Sequence, residues 1–365
     1  MRGGRGFRQG NRRAGAARAG AGSGNAHEEH FLSSLARAVR APFGARSGRG
    51  EQEKAALTVL FENDIFYNSD HDYTNGVLIG YTTAPKDTPG WAVRWARWLP
   101  FFAQEGEVRA RYALGQDIFT PHNLRLADPP PTDRPYAGFL YGAIGVVDDT
   151  GEDGRPIANL DQLQVSLGVI GPMSLAEDAQ KWIHGIINGV NPQGWSTQLR
   201  DEPGLVVQYE RSVKFSFLTS YRGPGIGFDV VPHYGAAIGN VYDYVNAGLM
   251  ARIGFNLPKD YGPLRIDPSL PGSGFYEPRG DAALGAYVFA GVDGRAIARN
   301  LFLDGNTFEP SRSVSKRNLV GDLELGAAVT FQVFQLSFTH VFRSREYATQ
   351  KAADQFGAVN LSVRF

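Results

Sequence analysis

The chain closes on FGAVNLSVRF, Phe356–Phe365, in which Val359, Leu361, Val363 and the terminal Phe365 share one phase. A period of two marks a strand with one apolar and one polar face. The same alternation runs backward through the sequence. Leu205, Val207, Tyr209, Val213, Phe215 and Phe217 alternate with Gln208, Glu210, Ser212, Lys214 and Ser216. Leu163, Val165, Leu167 and Val169 alternate with Gln162, Gln164, Ser166 and Gly168. Tyr112, Leu114 and Ile118 oppose Arg109, Arg111 and Asp117, while Leu57, Val59 and Phe61 oppose Glu62 and Asp64. A strand over 72–81 follows the first. Segments at 136–148 and near 226–239, 241–256, 281–299, 315–331, 334–346 and 355–365 bring the count to about twelve strands.

Two all-β architectures accommodate that pattern. A sandwich turns its apolar faces inward; a membrane barrel turns them to lipid and keeps polar side chains in the lumen. Strands of 10–15 residues are long for a sandwich and suit tilted membrane strands. Aromatics gather at strand ends (Phe66, Tyr67, Tyr81, Tyr221, Tyr242, Tyr244, Phe342, Tyr347), as an interfacial girdle would. The in-phase closing strand with a terminal Phe resembles the signal read by the outer-membrane barrel assembly machinery. The expectation is a closed antiparallel transmembrane β-barrel with short helices in its connections.

Composition removes other classes. The 365 residues include no cysteine, which excludes disulfide scaffolds, zinc fingers and thiol nucleophiles. No apolar run reaches the roughly 18–20 residues of a spanning helix. The zero net charge is uneven: residues 1–50 hold ten Arg against Glu28 and Glu29, net +8, leaving −8 on 51–365. Residues 1–52 are Arg-, Gly- and Ala-rich and too poor in apolar groups to offset the entropy of ordering, so they read as a disordered tail preceding a barrel over 53–365. Arg-Gly repetition can also bind nucleic acid or anionic lipid, but the aromatics that stack bases are missing, and no nucleic-acid partner is expected. Met1–Gly50 shows no convincing secretory signal.

Two segments break the strand period. Thr88–Phe102 reads as an amphipathic helix with Trp91, Trp95, Trp98 and Phe102 on one side, either an interfacial anchor or a small loop core. Ser174–Asn188 reads as a second helix. Its apolar stripe is Leu175, Ala179, Trp182, Ile183, Ile186 and Ile187; Glu177, Gln180 and His184 fall on a polar face. In an up-and-down barrel the first, third and fifth connections share one end, and these carry the densest irregular sequence. Centring the first hairpin near Ser69 sets Asp64 opposite Thr74 and Glu62 opposite Gly76 on the lumen face. Asn63 is in the lipid-facing phase, so joining that site requires a bulge. Such oxygens suit calcium, or form a hydrogen-bonded network. His184 is a candidate general base or a solvated helix residue. His233 and His340 lie in strands with no acidic neighbour in sequence. No G-x-S-x-G elbow, P-loop or H-E-x-x-H occurs.

END at 62–64, DYTNG at 72–76, GQDIFTP at 115–121, DRPYAG at 133–138, and the run from IGP at 170–172 through His184 to GW at 194–195 and Gln198 resemble the outer-membrane lipid A deacylase family. The match is collinear over roughly 56–220. It implies a twelve-stranded barrel in the outer membrane of a Gram-negative bacterium, acting with Ca2+ on ester-linked acyl chains at the 3′ position of lipid A in lipopolysaccharide. Carried over by position, it implies His184 as general base, Asn63 and Asp64 at the metal, Thr74 lining the site, and Gln180 supporting His184. Arg134 and Arg200 are candidates for lipid A phosphates, or pair with Asp133 and Asp201. Enterobacterial members carry an acidic residue six positions after the helix histidine; Val190 stands here, which implies either weaker metal coordination or a site completed by Glu202 or Asp117. A monomer in outer-membrane lipid is expected. The rival readings are a porin or lipid-binding barrel without hydrolysis and, further off, a soluble β-sandwich.

Overall fold

The computed structural model describes residues 54–64, 72–187, 189–221, 225–265, 272–279 and 283–365, without the side chains of 72–74 and 187. The expected disordered tail, with Phe66 and Tyr67, lies outside the described residues. The strands are β1 Ala56–Asn63, β2 Asp72–Thr82, β3 Glu107–Thr120, β4 Ala137–Asp149, β5 Ile157–Ile170, β6 Glu202–Phe215, β7 Thr219–Tyr221, β8 Ile226–Gly239, β9 Tyr242–Phe255, β10 Leu284–Asn300, β11 Leu319–Phe331, β12 Phe334–Arg343 and β13 Asp354–Arg364. The three-residue β7 continues β6 beyond one tight turn and pairs with the same neighbour, β8. The result is a closed antiparallel barrel of twelve strands. Its seam is the pairing of β13 with β1, from Ala56 opposite Arg364 to Asn63 opposite Gly357. Glu62 stands opposite Gly76, the register expected from sequence. At the seam Phe365 donates its backbone N–H to Ala55 and stacks on Tyr81, which stacks in turn on Tyr112.

Alternation sorts the side chains as a lipid solvent demands. Leu57, Val59, Ile79, Leu114, Leu167, Ile238, Leu249 and Leu325 are exposed on the outer wall, while Thr58, Ser166, Gln208, Asp229, Arg252, Asp293 and Asp322 are buried inside. No described helix is long and apolar enough to cross a membrane; the strands make the crossing.

The lumen is filled at both levels. Toward the outer end, Phe119, Phe139, Tyr141, Tyr242, Tyr244 and Phe302 form an aromatic core. Tyr242 and Tyr244 therefore do not belong to the girdle: they share the inward phase of Asn246. Tyr347 is likewise enclosed, donating to Asp133. Toward the inner end, the connection between β9 and β10 folds into the barrel. Gly272 and Gly274 accept from Gln162 and Thr58, Phe275 lies under Arg109, and Arg265 reaches Asp322 and Glu324. A cavity of about 10 Å³, room for one water, remains between this insertion and the wall.

Helix α1, Gly90–Trp98, sits outside the inner rim. Ala92 and Ala96 pack on Val108, Ala110 and Val146, and Arg97 pairs with Asp148 at 2.7 Å. Trp95 and Trp98 face outward, as an interfacial anchor requires, whereas Phe102 turns into the cluster and leaves their side.

Candidate active site

The site forms where helix α2, Ala176–Ile187, meets the wall at the outer end. Its start is defined by local chemistry. Glu177 and Asp178 occupy the first turn, where the helix dipole favours negative charge, and Glu177 pairs with Lys181 at 2.6 Å. Before it, the tight turn Pro172–Ser174 is fastened by Asp201, which accepts from the Met173 N–H at 2.7 Å.

Helix α2 lies on the outside of the barrel. Gln116, in the outward phase of Leu114, donates to the Ser174 carbonyl at 2.6 Å. Gly138, outward on β4, allows the approach: a Cβ there would fall 2.2 Å from both the Ala176 Cβ and the Ser174 Oγ. Ile118 packs with Ala176, Ala179 and Val190.

This location sets the orientation of the helix and corrects the expectation for Asn63. Much of the apolar stripe of α2 faces away from the wall. Trp182 and Ile186 are 70% and 63% exposed, with Met173 and Leu175 beside them, while Ala176, Gln180 and His184 form the enclosed face. The cause is the solvent: a helix against the outer wall of a membrane barrel meets hydrocarbon on its far side, so its polar side turns inward. Asn63, moreover, needs no bulge of its own, because the cleft belongs to the outward phase. One row crosses four strands in register, Asn63–Asn75–Ile118–Gly138. Both asparagines are 2% exposed despite pointing away from the lumen. The bulge is one strand over, between Tyr73 and Asn75 in the pairing of β2 with β3, so Thr74 is the extra residue. Its side chain lies outside the described residues. Asp64 is buried at the end of β1; Glu62 and Asp117 are buried in the inward phase of the next row.

His184 is held by the backbone. Its Nδ1 lies 2.5 Å from the Val190 carbonyl, an acceptor, so Nδ1 is the donor there and in the neutral ring Nε2 carries the lone pair. Gly189 donates its N–H to the His184 carbonyl at 2.8 Å, and a Cβ on Gly189 would come within 3.0 Å of the ring. The missing acidic side chain at 190 thus leaves the histidine's orientation intact. Gln180 does not hydrogen-bond His184; its Oε1 accepts from Trp195 at 2.8 Å.

The remaining candidates stand elsewhere. Arg134 is fully enclosed, paired with Glu346 at 3.2 Å and stacked over Phe119, and so lines the interior rather than an outer phosphate surface. Arg200 is exposed and pairs with Glu309 at 2.7 Å. Arg134 donates its backbone N–H to Asp133 at 2.9 Å, and among the described residues the ion pairs seen for the two arginines are those with Glu346 and Glu309. Glu202 accepts from Asn240, Asn306 and Thr307, tying loops together with its oxygens already engaged. His233 does have an acidic neighbour, Asp293, at 3.0 Å, reached across β9 where Gly248 leaves room.

Asn63 and Asp64 are adjacent, buried and hard-oxygen in character, the donor type calcium takes. Among the described residues no group of three or more His, Asp or Glu is arranged to hold a metal, so these two would be the chain's described share of its ligands. Sequence reasoning missed Asn75, Gly138 and the Val190 carbonyl. Only the outward phase of Asn75 was readable.

A family model described as outer membrane protein LpxR matches residues 31–365. Among solved structures, LpxR from Salmonella typhimurium superposes with a TM-score of 0.67 at 19% identity, covering 85% of this chain and 100% of that one. The beta domain of the Bordetella autotransporter BrkA gives 0.44 at 9% identity, over 86% and 100%, and KdgM porin 0.36 at 4%, over 85% and 99%. No curated protein matches the sequence.

Proposed function

The chain belongs to the LpxR outer membrane protein family, and from that premise we propose that it is an outer-membrane esterase that removes ester-linked acyl chains from the 3′ position of lipid A. The observation that carries the reading is the enclosed His184, its Nδ1 fixed on the Val190 carbonyl, in a cleft on the lipid side of the wall. A substrate embedded in the outer leaflet reaches that cleft without leaving the membrane. The filled lumen supports this reading over a porin.

His184 Nε2 takes a proton from water as the oxygen attacks the ester carbonyl, and returns it to the departing sugar oxygen as the tetrahedral intermediate collapses. Asn63 and Asp64 would hold a calcium ion, which when bound supplies positive charge to stabilise the carbonyl oxygen. Arg200, exposed at the rim, is the phosphate contact we retain. The test is mass spectrometry of lipid A after incubation of the reconstituted protein with lipopolysaccharide. Loss of 3′ acyl chains with release of fatty acid is expected, abolished by chelator and restored by calcium better than by zinc. Unchanged lipid A overturns the activity, and full release in excess chelator overturns the metal.

A further inference from the structure

Resting on the deacylase reading, we propose that Gln180 is a catalytic residue whose amide NH2 donates to the ester oxygen. Trp195 would be the positioning residue that decides which end of that amide faces the substrate. Gln180 and Trp195 are each 1% exposed, and the indole N–H lies 2.8 Å from Gln180 Oε1. An indole nitrogen only donates. The oxygen end of the carboxamide must therefore face Trp195, and the NH2 end must face away. Trp195 is itself closely enclosed. Its ring lies tilted against Tyr136 with centroids 4.9 Å apart, a side chain on Gly194 would clash with Tyr136 and the Leu126 carbonyl, and Leu199 donates to the Tyr136 carbonyl at 2.9 Å.

Gln180 Nε2 is buried and meets no acceptor among the described residues. A buried donor left so costs about 1–3 kcal/mol, and this one stands one turn from the histidine of the cleft. Gln180 lies one turn before His184 on the same enclosed face, so a carbonyl attacked by water from His184 falls within its reach. The NH2 group would complement the negative charge that develops on that oxygen, independently of any metal. With Oε1 committed to Trp195, the amide serves as donor, not as a metal ligand.

Acyl release would be followed for wild type, Gln180→Met, Trp195→Phe and the double variant, with folding checked by heat-modifiable gel migration. Gln180→Met should lower kcat by about 10²–10³-fold, the range for loss of one oxyanion donor, with KM nearly unchanged. Trp195→Phe keeps the ring but frees the amide to invert, and should lower kcat roughly tenfold. In the Gln180→Met background the same substitution should have no further effect, because the amide it orients is gone. Both single variants should bind an acyl-phosphonate lipid, a tetrahedral mimic, more weakly, and bind intact lipid A as wild type does. An active wild type with a near-wild-type Gln180→Met overturns the inference alone. Equal losses from Trp195→Phe in both backgrounds overturn the positioning role. A wild type that releases no acyl chain removes the deacylase reading and this inference with it.

Discussion

In the lumen, Asp322 accepts from Arg265, Arg295 and Arg343 at 2.9–3.3 Å, and Asp229 from Arg252 with Lys214 alongside. Under α2, the orienting partners are neutral groups: the Val190 carbonyl for His184 and the Trp195 indole for Gln180. Both regions are buried and polar, yet only the first is saturated with opposite charge. The lumen spends its ionic groups holding strands and the inserted connection together, since removing one partner from a buried pair strands the other. The cleft instead orients His184 and Gln180 through neutral partners, without a paired charge. Saturation separates scaffold from site in this chain more sharply than burial or residue type does.

If that contrast holds, the largest effect should come from His184→Gln. Acyl release should fall by about 10²–10⁴-fold, the usual share of a positioned base, with the thermal unfolding of the barrel nearly unchanged. A near-wild-type rate of acyl release from this variant would move the base elsewhere. Asp322→Ala should behave oppositely. Three arginines lose a shared anion, so about 3–5 kcal/mol of stability should go, read as reduced assembly or earlier unfolding, while turnover per folded molecule stays at the wild-type level. A stable Asp322→Ala barrel with impaired turnover would erase the distinction. Next in size, Gly138→Val should lever α2 from the wall and cost about 10²-fold in rate, as misplacement near 1 Å does, with a smaller loss of stability.

How much of this was readable in sequence follows from the same physics. Strand alternation is local, and it located every membrane strand and the register of Glu62 against Gly76. It did not say which solvent the helix would meet, so it left open that the stripe of Trp182 and Ile186 would face outward. Likewise Asn63 looked out of phase only because the site was imagined inside the barrel. Contacts made by backbone, such as Val190 to His184, leave no residue-type signal. The aromatic pair Tyr242 and Tyr244 sits at a strand end yet turns inward, a choice set by phase relative to Asn246 rather than by position.

The smallest effect tests the scaffold side through pH. At the inner rim, burial alone would raise the Glu152 carboxyl, but Lys214 and Arg279 outweigh it and hold its pKa below the ordinary value. Arg279 donates to it at 2.8 Å and stacks over Tyr221, which ties the connection inserted in the lumen to the rim. A carboxylate depressed on folding adds stability above its unfolded pKa of about 4.3, and loses that contribution as pH falls through the lower folded value. Glu152→Gln should therefore unfold earlier than wild type at neutral pH, by on the order of 1 kcal/mol for a partly exposed charged pair. The gap should close on acidification below the ordinary carboxylate range. Asp153, held low in the same direction by Lys259, titrates in both proteins and cancels in the difference. Acyl release should not distinguish the two at neutral pH. A gap that persisted unchanged at low pH would show that Glu152 acts through packing, and that this end of the lumen is not held by charge.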